Sequence, residues 1–357
     1  MAKDKIYIKV SNYLKQAISS GEMKLGEAIY SENRLCEILK VSRTSVRRAI
    51  REMVEENILE SRQGKGTFVR GLERSQSVCL LNHYTRHLRL NKINSYYPDI
   101  IFSAEQTASE HNCRMMIYSK PFLQAKAVPG QLQLLNSEGF LIDGAFQDIP
   151  GEDITGAIYQ YNRNSVIVDG NPEETGIPTI SPDWESGFSQ LFSQYDLSEM
   201  NILFINNSTI ARNRWGYACF KRTSRTFGLK SDYLDYSENI SPEILNQIDH
   251  GYILFPVLEN LLSIKKYDII FCVNDYLAMQ VLNFAHCNAL QVPGDFKLFG
   301  LGGLECAAAV VPALSTLKVY SGSMAQQAMD MLIGMIRRKS KPERILIPVQ
   351  LLVRDSL

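Results

Sequence analysis

The sequence predicts an α/β protein in which a small N-terminal domain of helices and one β-hairpin precedes a large domain of alternating strands and helices. Three observations predict this fold class. The length of 357 residues suits two or three domains, helical periodicity and a glycine-rich hairpin occupy roughly the first 70 residues, and short apolar runs alternate with helical stretches after residue 78. The composition, 45% hydrophobic and 21% charged, excludes a disordered or collagen-like chain.

The sequence contains no pattern typical of a membrane span, a signal peptide or a disulfide framework. No apolar run approaches the roughly 20 residues that cross a bilayer, and the N-terminus lacks the apolar core of a signal peptide. The seven scattered cysteines form no CxxC pair, which favours free thiols in a reducing cytoplasm. His83 and His87 follow Cys79 at helical spacing without a further ligand cluster, so we expect no metal and no cofactor.

The balanced total charge conceals two oppositely charged parts. The chain has 38 Lys and Arg against 38 Asp and Glu, but residues 1–71 carry 14 basic and 9 acidic side chains. This segment therefore has a net charge of +5 and the remainder −5. Four arginines and no acid lie between Ser42 and Arg51, and such a basic face attracts a phosphate backbone. A solvated helix surface would give the same local pattern.

The periodicity of the first 71 residues predicts three helices. The first helix stops near Gly21, Ser31 is placed to cap the second, and Ser42 is placed to cap the third. A tight turn at 40–41 joins the last two helices. On the third helix Val46 and Met53 face inward, and the 3.6-residue period puts a polar, basic set on the opposite face: Thr44, Arg47, Arg48 and Arg51.

A glycine-rich hairpin follows these helices. Residues 58–61 and 67–69 are typical strands, and Gln63-Gly64-Lys65-Gly66 forms the turn between them. Two short helices joined by a tight turn, the second of them basic on its outer face, and then a hairpin describe a winged helix-turn-helix. We place this domain at residues 1–71.

The same segment resembles the DNA-binding domain of the GntR family over about residues 5–70. The resemblance rests on four linked motifs: residues 21–26, 31–35, 41–47 and 64–69. It departs at Tyr30, where the family usually has proline. The resemblance implies that double-stranded DNA is contacted by Arg34, Arg43, Thr44 and Arg47, with the wing tip around Gly64 entering the minor groove. Arginine forks suit guanine or phosphate, and glycine allows close approach of the backbone.

Two further phosphate contacts are predicted from charge and geometry alone. Arg48 lies on the basic helix and Lys65 in the wing turn, where both side chains can reach a phosphate backbone. Arg34 also has a structural alternative, an ion pair with Glu37 on its own helix.

Residues 72–77 are polar and aperiodic and predict a linker, and residues 78–357 predict the second domain. Its alternation of strands and helices indicates parallel sheets covered on both faces, and its length indicates two lobes. The predicted strands are 78–81, 114–118, 139–142, 165–168, 201–205, 252–255 and 269–273, and the predicted helices are 97–111, 131–138, 184–195, 216–227, 275–286 and 324–338.

The second domain resembles the ligand-sensing domain of LacI-family repressors, which is built like a periplasmic sugar-binding protein. The matching stretches are 95–99, 139–144, 166–170, 271–278, 292–300 and 311–317. The resemblance implies a first lobe of about 78–181 and 313–343 and a second lobe of about 182–312 and 344–357. A GntR reader joined to such a sensor is the architecture of arabinose-repressor-like regulators.

The resemblance also implies which side chains face the cleft between the lobes. Asp169 and Asn274 follow strands and are expected there, with Asp148 as a further candidate and Tyr96 or Tyr97 as an aromatic face for a sugar ring. Asx residues also cap turns and helices, and for Asp169 and Asn274 that structural role is the alternative.

The sequence departs from the LacI pattern at two cleft positions. The arginine usual three residues before a glycine is replaced by Asn213, which Arg212 and Arg214 flank, so Asn213 and Arg214 are the candidate residues there. The acid usual two residues after Gly300 is replaced by a glycine, with Glu305 as the nearby candidate.

These patterns together predict a cytoplasmic, homodimeric, non-enzymatic transcription factor that binds operator DNA and responds to a small carbohydrate. Repression of carbohydrate-utilisation genes, relieved by the ligand, is the expected mode. The alternative is a GntR-type head fused to an enzyme-like domain such as an aminotransferase, which would need a lysine in a pyridoxal-phosphate setting. Another GntR effector domain does not fit: the run of strands excludes the all-helical type, and a second domain of 280 residues is too long for the short α/β type.

Overall fold

The computed structural model describes residues 3–55, 58–70, 76–82, 96–119, 124–149, 151–237 and 251–357. The chain divides into two compact units, Met1–Ser77 and Val78–Leu357. The predicted fold class, a winged helix-turn-helix followed by a two-lobed α/β domain, is confirmed. His83, His87 and most of the predicted linker lie outside the described residues. No helix among the described residues is long and apolar enough to cross a membrane.

In its described residues, the first unit has three helices and a two-stranded hairpin. Their bounds are α1 Lys3–Ser19, α2 Glu32–Leu39, α3 Arg43–Glu55, β1 Leu59–Arg62 and β2 Gly66–Val69. The apolar faces of these elements share one core that includes Leu14, Leu35, Val46, Met53 and Val69, all almost fully buried. Burial of one such side chain contributes about 1.5–3 kcal/mol, so this core is the main stabilising term of a small unit.

Local sequence sets the helix-turn-helix geometry. The Ser31 side chain accepts a hydrogen bond from the Arg34 amide and caps α2, as predicted. Lys40 has a φ of +53° and ends the helix in the left-handed conformation. α3 starts immediately after the turn and buries Val46, Ala49 and Met53, so its arginine face points away from the core.

The wing is an antiparallel hairpin with a three-residue turn. The Lys65 amide donates to the Arg62 carbonyl at 3.0 Å, and Gly64 has a φ of +69°, which glycine adopts without strain. Nothing lies within 4 Å of the place where a Cβ of Gly64 would stand, so the turn is open to its surroundings.

The second unit contains two six-stranded sheets in its described residues. The first sheet has the order β13-β7-β6-β5-β3-β4 and pairs β3, β5, β6, β7 and β13 in parallel. Its strands are β3 Ser77–Leu81, β4 Arg114–Tyr118, β5 Gly139–Asp143, β6 Ser165–Val168, β7 Thr179–Asp183 and β13 Arg344–Pro348. The helices between or beside them are α4 Tyr96–Glu110, α5 Val128–Leu135, α6 Ile154–Tyr161 and α11 Ser321–Ile336.

The second sheet has the order β14-β12-β11-β10-β8-β9, parallel except for the β12–β14 pair. Its strands are β8 Ile202–Asn206, β9 Ser231–Asp235, β10 Ile269–Cys272, β11 Lys297–Gly302, β12 Ser315–Lys318 and β14 Gln350–Leu352. The accompanying helices are α7 Trp184–Gln194, α8 Ala211–Thr226, α9 Gly251–Ile264 and α10 Asp275–Cys287. Parallel strands buried on both faces explain the continuous apolar runs in the sequence.

The chain crosses between the two sheets at places that differ from the expected lobe bounds. β12 at 315–318 belongs to the second sheet, although the first lobe was expected to begin again at 313. β13 at 344–348 belongs to the first sheet, although the second lobe was expected from 344. The sequence of neither short strand has a periodicity that would assign it to one sheet. The sheet to which each strand belongs is therefore determined by the strand with which it pairs.

Two predicted elements need correction. Residues 252–255 were predicted as a strand and lie in helix α9. Leu254 and Leu258 are fully buried and stand four residues apart, as on one face of a helix. A run of four apolar residues is too short to show this helical period, so it also fits a strand. The helix predicted from Gly216 begins five residues earlier, at Ala211, which places Arg212, Asn213 and Arg214 in its first turn.

Candidate nucleic-acid interface and ligand cleft

The outer face of α3 presents exposed polar and basic side chains. Thr44 is exposed, and the side chains of Arg43 and Arg47 are 59% and 57% exposed. Both arginines donate from Nε to the carboxylate of Glu32, at 2.7 Å for Arg43 and 2.9 Å for Arg47. Hydrogen bonding from Arg43 is the largest cause of a lowered pKa of Glu32. Glu32 therefore stays ionised between the two guanidinium groups.

Arg34 and Arg48 make local ion pairs. Arg34 Nη1 lies 3.2 Å from Glu37 on its own helix, which is the structural alternative that the sequence had left open. Arg48 Nε donates to Glu52 at 3.1 Å, and its guanidinium lies 4.1 Å from the centre of the Tyr7 ring. Exposed pairs of this kind contribute little stability, so both side chains can exchange partners at low cost. Lys65 is exposed in the wing turn beside Gly64.

In the second unit, polar side chains from both lobes meet beyond the carboxyl ends of the strands. Asp148 ends a 3₁₀ segment, Gly144–Asp148, that follows β5, and Asp169 follows β6. Both carboxylates are buried and reach the first turn of α8 in the other lobe. Asp148 Oδ1 accepts from the Ala211 amide at 2.6 Å, which places a negative charge at the positive end of the α8 dipole.

Asp169 and Arg212 form an ion pair across the cleft. Arg212 Nη1 donates to Asp169 Oδ2 at 2.8 Å, and the Asp169 side chain is only 2% exposed. Burial raises the pKa of Asp169, while the Arg212 charge opposes that shift. Burial by itself would lower the pKa of Arg212, but Asp169 and two tyrosines outweigh it. Asp169 has a φ of +60°, a left-handed conformation that aspartate tolerates and that turns its carboxylate toward α8.

Two tyrosines at the start of α4 lie beside this pair. Tyr96 and Tyr97 pack edge to face with ring centres 5.5 Å apart, and the Arg212 guanidinium lies 5.2 Å from the Tyr96 ring centre. Burial raises the pKa of both hydroxyls well above the usual value. A small cavity next to them is lined by Leu80, Asn82, Tyr97, Ile100, Ile101, Asp143 and Val168.

The two residues predicted in place of the family arginine have different surroundings. Asn213 is 1% exposed, donates to the Asn207 carbonyl at 3.3 Å, and has an Oδ1 without a hydrogen-bond partner among the described residues. Arg214 is joined to Glu174 of the first lobe by two hydrogen bonds of 2.5 and 2.6 Å. Arg214 thus belongs to a contact between the lobes, whereas its neighbour Arg212 reaches Asp169.

Asn274 and Glu305 are not brought to the Asp169–Arg212 pair by any observed contact. Asn274 caps α10, with Oδ1 accepting from the Leu277 amide at 2.8 Å, as in the structural alternative. Glu305 is exposed at the start of a 3₁₀ segment, Glu305–Ala308.

Sequence reasoning missed several residues that shape the two sites. Glu32 and Arg212 were not singled out, because their partners lie 11 to 43 positions away in the chain. Asp275 is fully buried behind the Asn274 cap and accepts from Thr316 Oγ1 at 2.6 Å and from the Leu304 amide at 2.7 Å. The pattern Asn274-Asp275 was the one available signal for it. Among the described residues no cluster of His, Cys, Asp and Glu could hold a metal.

The fold defines a class of chains in which a winged helix-turn-helix precedes a two-lobed α/β domain. Residues 6–69 match the family described as bacterial regulatory proteins, gntR family. Residues 172–357 match the family described as periplasmic binding protein-like domain. The second family model spans more than half of the chain, which therefore belongs to the periplasmic binding protein-like family and carries a GntR helix-turn-helix domain in residues 6–69.

Named relatives agree with this membership. The arabinose metabolism transcriptional repressor of Geobacillus stearothermophilus is 24% identical over an alignment of 361 positions that covers 98% of this chain and 97% of the repressor. The transcriptional regulator CelR in complex with cellobiose has a TM-score of 0.63 at 16% identity, covering 89% of this chain and 92% of that one. The lac repressor dimer bound to operator has a TM-score of 0.64 at 16% identity, covering 80% and 94%.

Proposed function

We propose that this protein is a transcriptional repressor of carbohydrate-utilisation genes that binds operator DNA as a homodimer and is released by a small sugar or sugar derivative. One observation carries the proposal: a single chain combines an exposed arginine face on α3 with a buried polar pair, Asp169 and Arg212, that joins the two lobes of a sensor fold. A DNA-reading surface and a closable ligand cleft in one chain suit a one-component regulator.

The DNA-binding half of the proposal assigns the outer face of α3 to the major groove. Arg43, Thr44 and Arg47 are exposed there and would meet base edges, with Arg34 beside them. Arg48 and Lys65 would contact phosphates, and Gly64 would let the wing approach the minor groove. The net charge of +5 on residues 1–71 supplies the attraction.

The ligand-binding half of the proposal assigns the cleft to a polyhydroxylated molecule. Carboxylate and guanidinium groups present acceptors and donors to sugar hydroxyls, and the Tyr96 and Tyr97 rings provide apolar faces. The unsatisfied Oδ1 of Asn213 is a further acceptor in the first turn of α8. Asp148, Asn274, Arg214 and Glu305 remain candidates that would act in a rearranged cleft. The relatives named for arabinose metabolism and cellobiose support the same ligand class.

We propose a binding and not a catalytic role for this cleft. The carboxylates of Asp143, Asp148 and Asp169 are engaged with a backbone amide, a helix N-terminus and an arginine, respectively. Such engaged groups orient a ligand and hold two lobes together. A ligand that favours one lobe arrangement by a few kcal/mol changes the DNA affinity by mass action.

Two linked measurements on the full chain test the proposal. Selection from a randomised duplex library should enrich a two-fold symmetric sequence, which then serves as the probe in a fluorescence-anisotropy titration. We expect at least one monosaccharide, disaccharide or sugar acid to weaken binding to that probe. Failure to enrich any duplex contradicts the DNA-binding half, and enrichment without a response to any sugar contradicts the ligand-binding half.

The variant Asp169→Asn serves as a site-specific arm of this experiment. It should raise the Kd for the active sugar about tenfold or more, since a hydrogen bond to a charged group contributes about 1.5–3 kcal/mol. Asp196→Asn is the matched control, because Asp196 lies on the surface of the same domain and contacts Ser198. An Asp169→Asn protein with unchanged sugar response would remove this residue from the site.

A further inference from the structure

A run of basic side chains, residues 337–344, follows helix α11 at the surface of the first lobe, and we call it the basic turn. It contains five Lys or Arg and one acid, Glu343, so its net charge is +4. Because the chain after residue 71 has a net charge of −5, the rest of that part carries −9. Arg338, Lys339 and Lys341 are exposed. The basic turn is therefore a positive patch on an otherwise acidic domain.

Neighbouring acids do not neutralise these charges. The side chains of Arg338, Lys339 and Lys341 form no ion pair with any residue that the structure describes, whereas Arg214 of the second lobe is paired with Glu174. Lys and Arg at a helix C-terminus also complement the helix dipole, which is the structural alternative for these residues. A patch of exposed charge without acidic partners attracts an anionic molecule.

The backbone of the basic turn is held in a defined shape. The Lys339 amide donates to the Gly334 carbonyl at 2.8 Å, which folds the chain back on the last turn of α11. Arg337 donates from Nη2 to the His111 carbonyl at 2.8 Å and so ties the turn to the segment that follows α4. The exposed basic side chains are therefore carried by a backbone with fixed contacts.

The basic turn lies at the end of the first lobe where the chain enters this domain. Ile336, the last residue of α11, packs against Gly139, since a Cβ on that glycine would stand 2.9 Å from Ile336 Cδ1. Gly139 begins β5 and pairs with Val78 at the amino end of β3. The ligand cleft lies beyond the opposite, carboxyl ends of these strands. The basic turn is therefore separate from the cleft.

The connection to the winged helix is short. Strand β2 of the wing ends at Val69, nine residues before Val78, and nine residues of chain span at most about 30 Å. A duplex held by the winged helix can therefore come within reach of the end of the first lobe that carries the basic turn.

We propose that the basic turn is a second DNA-binding surface, which contacts the phosphate backbone beside the operator while the winged helix binds the operator itself. This inference rests on the proposed DNA-binding function. Lysine acts on a phosphate as a point charge, so the contact should not depend on the base sequence. DNA repels the negative charge of the remaining domain, which favours the orientation in which the basic turn faces the duplex.

The test compares two duplexes that contain the same operator, the sequence that the wild-type protein enriches from a randomised library. The short duplex ends at the borders of the operator, and the long duplex adds about one helical turn of arbitrary sequence on each side. Fluorescence anisotropy with the full chain gives the Kd of each duplex at a series of salt concentrations.

Two triple variants remove three positive charges each from exposed positions. The test variant combines Arg338→Gln, Lys339→Gln and Lys341→Gln. The matched control removes one arginine and two lysines from the second lobe, near the end of α8, and combines Lys221→Gln, Arg225→Gln and Lys230→Gln. Thermal melting followed by circular dichroism checks that each variant is folded.

We expect the wild type to bind the long duplex at least tenfold more tightly than the short one at low salt. The test variant should bind the two duplexes within about twofold of each other. Its slope of log affinity against log salt on the long duplex should be shallower by about 2 or more, since each lost phosphate contact removes about 0.9. The control variant should keep the gain and the slope of the wild type.

A charge-conserving variant separates charge from structure. Arg338→Lys, Lys339→Arg and Lys341→Arg together should keep the gain from the longer duplex, and loss of the gain in this variant overturns the inference. A wild type that gains nothing from the longer duplex, or equal losses in the test and control variants, also overturns it. A test variant that melts earlier but keeps the gain leaves only the role at the helix terminus. A wild type that enriches no duplex overturns the proposed function as well, so the two failures are distinguishable.

Discussion

Asp275 is a carboxylate buried in the second lobe, where its two oxygens accept from Thr316 and from the Leu304 amide. Burial raises its pKa to about 6, against the hydrogen bonds that lower it. Gly300 makes room for it, since a Cβ there would stand 2.3 Å from Oδ1. The folded protein therefore binds this proton more tightly than the unfolded chain does.

The variant Asp275→Asn tests this assignment through the pH dependence of stability. The contribution of Asp275 is fully present below the unfolded pKa of 3.8 and is lost as the pH rises through about 6. Asparagine has no such proton. The stability difference between variant and wild type should therefore shift in favour of the variant by about 2 kcal/mol between roughly pH 4.5 and 7.5.

Urea denaturation at a series of pH values measures this shift. Asp355→Asn provides an exposed control, because Asp355 accepts a hydrogen bond from the Ala313 amide, which does not titrate in this pH range. A stability difference that does not change with pH would show that Asp275 titrates as an ordinary aspartate.

Individual residues also show how much of the two sites could be predicted from the sequence. The positions after strands were predictable, because carboxyl ends of parallel strands meet at one edge, and Asp148 and Asp169 do lie there. Their partners were not predictable, since the side chain that reaches Asp169 depends on where α8 begins. One residue of helix is a rotation of about 100°, and this rotation separates Arg212, Asn213 and Arg214 into three different environments.

At the scale of elements, α8 is the part of the second lobe on which the contacts of the first lobe converge. Its first turn contacts Asp148 through the Ala211 amide, Asp169 through Arg212 and Glu174 through Arg214, and Arg222 further along the helix contacts Glu173. Glu173 and Glu174 lie in the segment between β6 and β7. This segment therefore fastens the first lobe to one helix of the second.

Hydrogen exchange of the Ala211 amide measures how often the two lobes separate, because this amide donates across the cleft to Asp148. Glu174→Gln weakens the partly exposed pair with Arg214, and a loss of about 1 kcal/mol corresponds to about fivefold faster opening. Hydrogen exchange of the Ala211 amide should accelerate by that factor. Glu185→Gln is the control, because Glu185 contacts Arg222 from α7 within the second lobe. Equal acceleration in both variants would contradict the special role of Glu174.

Element prediction succeeded where a sequence period had one interpretation. The capped helices of the first unit and the strands 139–142 and 165–168 were located within a residue or so. Residues 252–255 failed because four apolar residues fit a strand and a buried helix equally well. The first residue of α8, and the sheet to which β12 and β13 each belong, depend on contacts with residues distant in the chain. A local sequence pattern carries no information about such contacts.

At the scale of the whole molecule, the two compact units have separate hydrophobic cores. The core of the first unit is built from its three helices and wing, and the second unit has its own cores on the faces of its sheets. The charges are divided in the same way, with +5 on residues 1–71 and −5 on the remainder. The two units therefore differ in the sign of the charge that they attract.

Calorimetry of the full chain tests this independence. We expect two unfolding transitions, and a sugar identified by the release assay should move only one of them. At a hundredfold excess over its Kd, the ligand adds about 2.7 kcal/mol to the unit that binds it. A sugar that fails in the release assay is the control. A single transition, or an equal shift of both transitions, would show that the units unfold as one.

The contact between Trp215 and the Pro182 carbonyl has a practical consequence. The indole Nε1 of Trp215, on α8, donates at 3.0 Å to a strand of the first sheet, and Trp184 lies close by at the start of α7. Both are buried, and they are the two tryptophans of the chain. Separation of the lobes would expose these indole rings to water and shift their fluorescence emission to longer wavelength. The two tryptophans are therefore an intrinsic fluorescence probe of the distance between the lobes. Stopped-flow fluorescence could measure the rate of a lobe movement without an added label.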